Sequence, residues 1–133
     1  HLAAGFSEYT RMSAGARYES GLLVASLEKL GVAGGESTQI MDYFTKVGRM
    51  AQDQVINTTR DLVLMGKSIG ISAAKMSKDF IAAMPKLAVY GSRAKEIFGK
   101  MAAAAKQAGV EVSSLLGLAG QFDKFASEGE TKD

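Results

Sequence analysis

The chain has no cysteine and a single histidine, His1, at its first position. Without cysteine there is no disulfide framework and no thiolate nucleophile, although the absence selects no compartment, because exported and cytosolic proteins alike can lack it. A general base working near neutral pH is usually histidine. With only a terminal one, Ser-His and Cys-His catalysis lack their base. No pair of histidines and no acidic calcium-loop spacing is present, so no metal and no cofactor is expected. Proline occurs once, at Pro85, and alternating β-branched runs are scarce, which leaves little from which to build strands.

Long apolar runs are missing as well. The nearest approach, Met101 to Gly120, is interrupted by Lys106, Gln107, Glu111, Ser113 and Ser114 and is too polar to cross a bilayer. The start lacks the basic and apolar regions of a signal peptide. It opens on His1 instead of Met, which reads as a piece of a longer chain, a processed product or a cloning leftover. Charge of one sign is also lacking: 16 Lys and Arg against 14 Asp and Glu leave +2, dispersed along the chain. Phosphate binding needs a clustered positive footprint, so nucleic acid is not an expected partner.

What is present is helix-forming. The 133 residues are 47% apolar and 23% charged, the proportions of a chain that folds as one domain without staples. Twenty alanines, seven methionines and many Leu, Lys and Glu favour helix. The strongest periodicity runs through Ile40, Phe44, Val47, Ala51, Val55, Thr58, Leu62, Met65 and Ile69, at steps of three and four. It predicts one long helix, started by a Ser37 or Thr38 cap, ended at Gly66 or Gly70, and about 40 Å long for roughly 28 residues.

The same signal resumes after Gly70 through Met76, Phe80, Met84, Leu87, Phe98, Met101 and Ala105. Ser72 is placed to cap it, Pro85 to bend or break it, and Gly91-Ser92 to stop and restart it. Helices are therefore expected at about 72–90 and 93–108. Tyr9, Ala16, Leu23, Leu27 and Leu30 share a face and predict a helix over 7–30, weakened by Gly15 and Gly21. Ser113 caps a short helix through Leu116, Ala119, Phe122 and Phe125. The fold expected is all-α: five helices in helical hairpins, forming an elongated or open bundle. Residues 1–6 read as a flexible start, 7–126 as one all-helical domain and 127–133 as a polar tail.

Gly31-Val32, Gly70-Ile71 and Gly109-Val110 stand 39 residues apart, each closing one helix and opening the next. The spacing suggests repeated hairpins. Residues between these points match poorly, and helix ends often need glycine in any fold, so both readings stay open here.

Chemistry finds few footholds. Tyr18-Glu19-Ser20-Gly21-Leu22-Leu23 is similar to the lytic transglycosylase helix whose glutamate protonates the glycosidic oxygen, and Gly117-Leu118-Ala119-Gly120-Gln121 to that family's later segment. That family keeps the two about one hairpin apart, whereas almost a hundred residues separate them here. A solvated helix residue is the plainer reading of Glu19. Gly31, Gly34 and Gly35 precede a helix start but follow no strand and make no nucleotide-binding motif, so they read as a loop. Asp42 with Lys46 and Glu96 with Lys100 have acid-first helical spacing and mark solvent faces. The methionines read as core filler before they read as a soft binding groove.

Taken whole, the stretch from about Leu27 to Glu128 resembles the helical segments of phage tail tape-measure and related virion structural proteins. The carriers are Leu30-Gly31-Val32, Lys78-Asp79-Phe80-Ile81-Ala82-Ala83-Met84 leading to Leu87-Ala88-Val89-Tyr90-Gly91, Met101 through Val110, and Phe122-Asp123-Lys124-Phe125. The resemblance implies a helical structural protein of the tail, made of similar units in long arrays. It brings no catalytic residues.

The sequence therefore points to a non-enzymatic virion segment that works through helix packing and assembly. It would be located in the phage tail, and in the host cytoplasm during assembly. Its candidate interaction stripe is Ile40, Phe44, Val47, Val55, Leu62, Met76, Phe80, Met84, Phe98 and Met101, covered by sister helices or by other subunits. Partners would be further copies or other tail proteins, with no membrane span. The rival readings are a helical protein-protein interaction module and, more remotely, a glycan-cleaving domain using Glu19.

Overall fold

A computed structural model describes residues 14–116. Among them there is no strand, and the chain folds as packed helices: α1 (Ala14–Glu28), α2 (Gly34–Lys46), α3 (Gln52–Leu64), α4 (Ala73–Leu87), α5 (Ala94–Ala108) and the short α6 (Val112–Leu116). One 3-10 turn follows α3 at Met65–Ile69 and another follows α4 at Ala88–Arg93. The expected all-α arrangement of hairpins is what forms. The start (1–6), the tail (127–133), Tyr9, Phe122 and Phe125 lie outside the described residues.

The long rod does not form. Its chain turns back between Lys46 and Gln52, where Met50 N–H reaches the Phe44 carbonyl (3.2 Å) and Arg49 takes a left-handed φ of 55°. Gly48 is required there, because a Cβ would stand 2.7 Å from the Phe44 carbonyl oxygen. The apolar period hid the break: Ile40 and Phe44 before it and Val55 and Leu62 after it keep the same phase, since both helices bury that face in one core. Ser37 and Thr38 are not caps. Helix α2 starts earlier, from Ala33, and both hydroxyl residues are buried inside it, with Thr38 Oγ1 donating to the Gly35 carbonyl.

Elsewhere the punctuation acts locally. Ser72 Oγ accepts from Lys75 N–H at 3.2 Å and caps α4 as expected. Gln54 Oε1 accepts from the Ala51 backbone N–H at the start of α3. Pro85 sits in the last turn of α4, where its missing N–H costs a single helical bond, and the chain then tightens into the 3-10 turn. The bend falls at Gly91 (φ 55°, ψ −125°), and Arg93, not Ser92, precedes α5. Helix α6 begins at Val112, so Ser113 lies inside it.

The three glycine turns are one structure built three times. Gly31, Gly70 and Gly109 all have left-handed φ, at 94°, 79° and 74°. The residue after each donates its N–H five positions back: Val32 to Leu27 (3.0 Å), Ile71 to Gly66 (2.8 Å) and Val110 to Ala105 (2.9 Å). Each glycine donates three back, to Glu28, Lys67 and Lys106. This is the Schellman ending, which satisfies the last carbonyls of a helix and needs a residue free to adopt positive φ. The next helix starts three residues after each glycine, at Gly34, Ala73 and Val112.

Burial follows the same 39-residue step. Of fourteen buried positions in 32–70, eleven have a buried counterpart 39 residues on. Ser20, Leu23 and Leu27 of α1 are followed in this register by Thr59, Leu62 and Gly66, then by Phe98, Met101 and Ala105. The residues differ while the backbone plan and the burial pattern are kept. Helices α2, α4 and α6 form one layer and α1, α3 and α5 the other. Each helix packs on its neighbours in sequence and on the helix one hairpin along, the connectivity of a quasi-one-dimensional helical stack.

Candidate functional site

Nine of the ten residues of the interaction stripe are buried in the core, and Val47 is half-buried. Their partners are one another. Tyr43, Phe44, Phe80 and Phe98 make an aromatic cluster with ring centroids 5.2–5.8 Å apart, joining α2, α4 and α5. Met41, Met76, Met84 and Met101 fill the spaces around it. Of the two coverings considered for the stripe, sister helices provide this one. A surface offered to another molecule has to be made of other residues.

Charged side chains link successive hairpins from the outside. Lys78 Nζ pairs with Glu36 at 2.9 Å, Lys95 with Asp61 at 3.7 Å, and Lys75 with Glu111. Asp42–Lys46 (3.4 Å) and Glu96–Lys100 (3.8 Å) form along their own helices, as their spacing predicts. Hydrogen bonding to Glu111 and then Asp79 raises the pKa of Lys75 above that of an ordinary lysine, which keeps its ammonium charged. Such solvent-exposed pairs fix register more than they add stability.

Two concave places among the described residues bear on function. The first is a groove of about 490 Å³ at the junction of α4, α5 and α6. Its floor is apolar, with Ile71, Ala102, Ala105 and Val110, and Lys75 and Lys106 stand at its rim. Lys106 Nζ donates to the Gly70 carbonyl at 3.4 Å, covering the turn of the preceding hairpin. The sequence reading did not single out this junction, although the 39-residue glycine spacing was its signal.

The second is a shallower depression of about 410 Å³ between α1 and α3, where Glu19 shares the lining with Gln52 and Asp53. A glycosidase general acid is kept protonated by apolar enclosure, whereas Glu19 is exposed and shares the lining with Gly15, Ala16, Gln52, Asp53 and a single large apolar residue, Ile56. No aromatic side chain lines this depression. The later fragment, Gly117 to Gln121, lies outside the described residues. Gly34 and Gly35 are absorbed into the first turn of α2.

Among the described residues no group of three or more His, Asp or Glu side chains gathers as a metal site, and no helix is long and apolar enough to cross a membrane. Comparison with protein-family models, curated proteins and solved structures found no match to this chain.

Proposed function

We propose that this chain is a non-enzymatic structural segment of a phage virion, of the tape-measure kind, which acts by packing helical hairpins in series and by presenting their edges to other tail proteins. The observation that carries the proposal is the triple recurrence of one helix ending, at Gly31, Gly70 and Gly109, with the interior repeating in step. A protein that spans distance or bears load gains from such a plan, because length grows by adding units without redesigning the core. The array form accords with the resemblance described above. The charged groups that meet in the larger groove, Lys75 with Asp79 and Glu111, are paired with one another, which is more in keeping with packing than with catalysis.

The location proposed is the phage tail, with the host cytoplasm during assembly. The test is mass spectrometry and immunogold labelling of purified particles. Recovery of this sequence in tail fractions at fixed stoichiometry is the expected result, and its absence from particles would sink the reading. A second reading, a helical interaction module, is favoured by the apolar groove beside Val110. It predicts recovery of a discrete soluble complex in place of particles.

A further inference from the structure

The fold gathers charge that the sequence spreads. Helices α2 and α4 both end at the edge of the stack opposite the glycine turns, where the Tyr43 hydroxyl on the Met84 carbonyl holds them side by side. No acid occurs from Tyr43 to Gln52 or from Phe80 to Lys95, whereas these stretches carry Lys46, Arg49, Lys86, Arg93 and Lys95. Three of these cations are matched from the helices: Lys46 by Asp42, Arg93 by Glu96 and Lys95 by Asp61. Asp53, in the first turn of α3, lines the depression on the α1 side. Among the described residues Arg49 and Lys86 pair with no acid, and both are exposed.

Arg49 is held there at a cost in stability. Its φ of 55° is one that glycine adopts freely, and it directly follows Gly48, which has no room for a Cβ. A non-glycine residue kept in the left-handed region, with no ion pair from its side chain among the described residues, points to a use outside the fold. Met50, next in sequence, is matched 39 residues on by Val89, which at 81% is the most exposed large apolar side chain described.

This edge is not open merely because the described residues stop at Leu116. The turn at 47–51 already has the following hairpin, α4 and α5, in place, and Arg49 and Ala51 are still exposed. A further hairpin packed in the same way would leave the turn at 88–93 equally open.

We infer that the edge formed by these two turns, with Arg49 and Lys86 as charged anchors and Val89 as apolar contact, docks a partner protein that presents carboxylates beside an apolar side chain. The planar fork of arginine takes a carboxylate through two parallel hydrogen bonds, which selects a partner by geometry as well as by charge. Two unmatched cations are too few for a nucleic-acid backbone, whose hold grows with each phosphate neutralised. A lone exposed valine buries too little apolar area to hold a bilayer. The inference rests on the reading of a stack that offers its edges, and not on a place in a virion, so absence from particles and failure to bind are distinguishable results.

The test titrates the isotope-labelled full chain with a peptide of about ten residues, glutamates around a central leucine, and follows backbone amides by NMR. Shifts are expected at 47–51 and 86–93. Arg49→Gly with Lys86→Gln should weaken the peptide about 10-fold and melt no lower than the parent, because glycine relieves the left-handed backbone. Lys29→Gln with Lys67→Gln, which removes as much charge beside the glycine turns, should change affinity less than about 2-fold. Equal losses in both variants, or shifts centred elsewhere, would overturn the proposal. So would tighter binding to phosphatidylserine vesicles or to a single-stranded oligonucleotide than to the peptide. The chain's own residues 117–133, with Asp123, Glu128, Glu130 and Asp133, are the rival occupant. Glu128→Gln with Glu130→Gln should leave the peptide affinity unchanged, and a gain of about 10-fold would assign the edge to that segment instead.

Discussion

The Tyr43 hydroxyl donates to the Met84 carbonyl at 3.3 Å, tying α2 to the last turn of α4 across 41 residues of sequence. Met84 lies in the last turn of α4, just before the chain tightens into the 3-10 turn, so the phenol pins that helix end to α2. Tyr43→Phe should cost about 1–2 kcal/mol in urea unfolding, more than its lost oxygen alone suggests, because the buried carbonyl is left without its donor.

The same residue predicts a pH dependence. Burial pushes the Tyr43 pKa up from 10.0 to about 12. The folded state thus holds this proton more tightly than the unfolded state does. The associated stability is complete below pH 10 and is lost as pH rises from 10 to 12, by an amount on the order of 2 kcal/mol. Urea midpoints measured across that range should fall in the wild type. In Tyr43→Phe this component should vanish, leaving only what other groups contribute.

Gly66 is a packing requirement. A Cβ there would stand 2.5 Å from Met76 Cγ and 2.7 Å from the Ile71 carbonyl oxygen. The methionine can rotate aside but the backbone oxygen cannot, so Gly66→Ala should destabilise by about 1–3 kcal/mol. Calorimetry that shows no loss would mean the junction of α3 and α4 is looser than described.

The left-handed turns give a matched set. Gly70→Ala and Gly109→Ala should each lose about 1–2 kcal/mol, since a Cβ disfavours positive φ. Arg49, the one non-glycine with positive φ among the described residues, should respond in the opposite direction. Arg49→Gly relieves the strain at some cost in chain entropy and should stabilise by about 0.5–1 kcal/mol. Thermal unfolding of all three variants checks both signs.

Phe80 touches the rings of Tyr43, Phe44 and Phe98. Phe80→Ala should cost about 3–5 kcal/mol. Because it sits between two hairpins, loss of near-ultraviolet signal should accompany loss of helix in one transition.

How much of this was legible in the sequence depends on where the information lies. Helical class and the inward faces were legible because Ile40, Phe44, Leu62, Met76, Phe80 and Met101 recur at the helical period, which is local. The break at Gly48-Arg49 was not, because its one local mark, the lone Gly48, is masked by an apolar pattern that stays in phase on both sides and the positive φ falls on a non-glycine. The caps divide the same way. Ser72 acts through its own oxygen, whereas Ser37 lies buried inside α2, whose cap position falls four residues earlier, at Ala33. The repeat was visible only in its glycines, since the core positions between them trade Leu27 for Gly66 and Ala105.

The strictly neighbour-to-neighbour packing of these hairpins has a mechanical consequence. Among the described residues tension along the stack meets no strand, and the main helix contacts join only neighbouring hairpins, so hairpins should peel away singly, in force spectroscopy a ladder of equal steps. Each released hairpin yields about 130 Å of extended chain from a layer about 10 Å thick, so such a protein would behave as an extensible spacer with a fixed pitch.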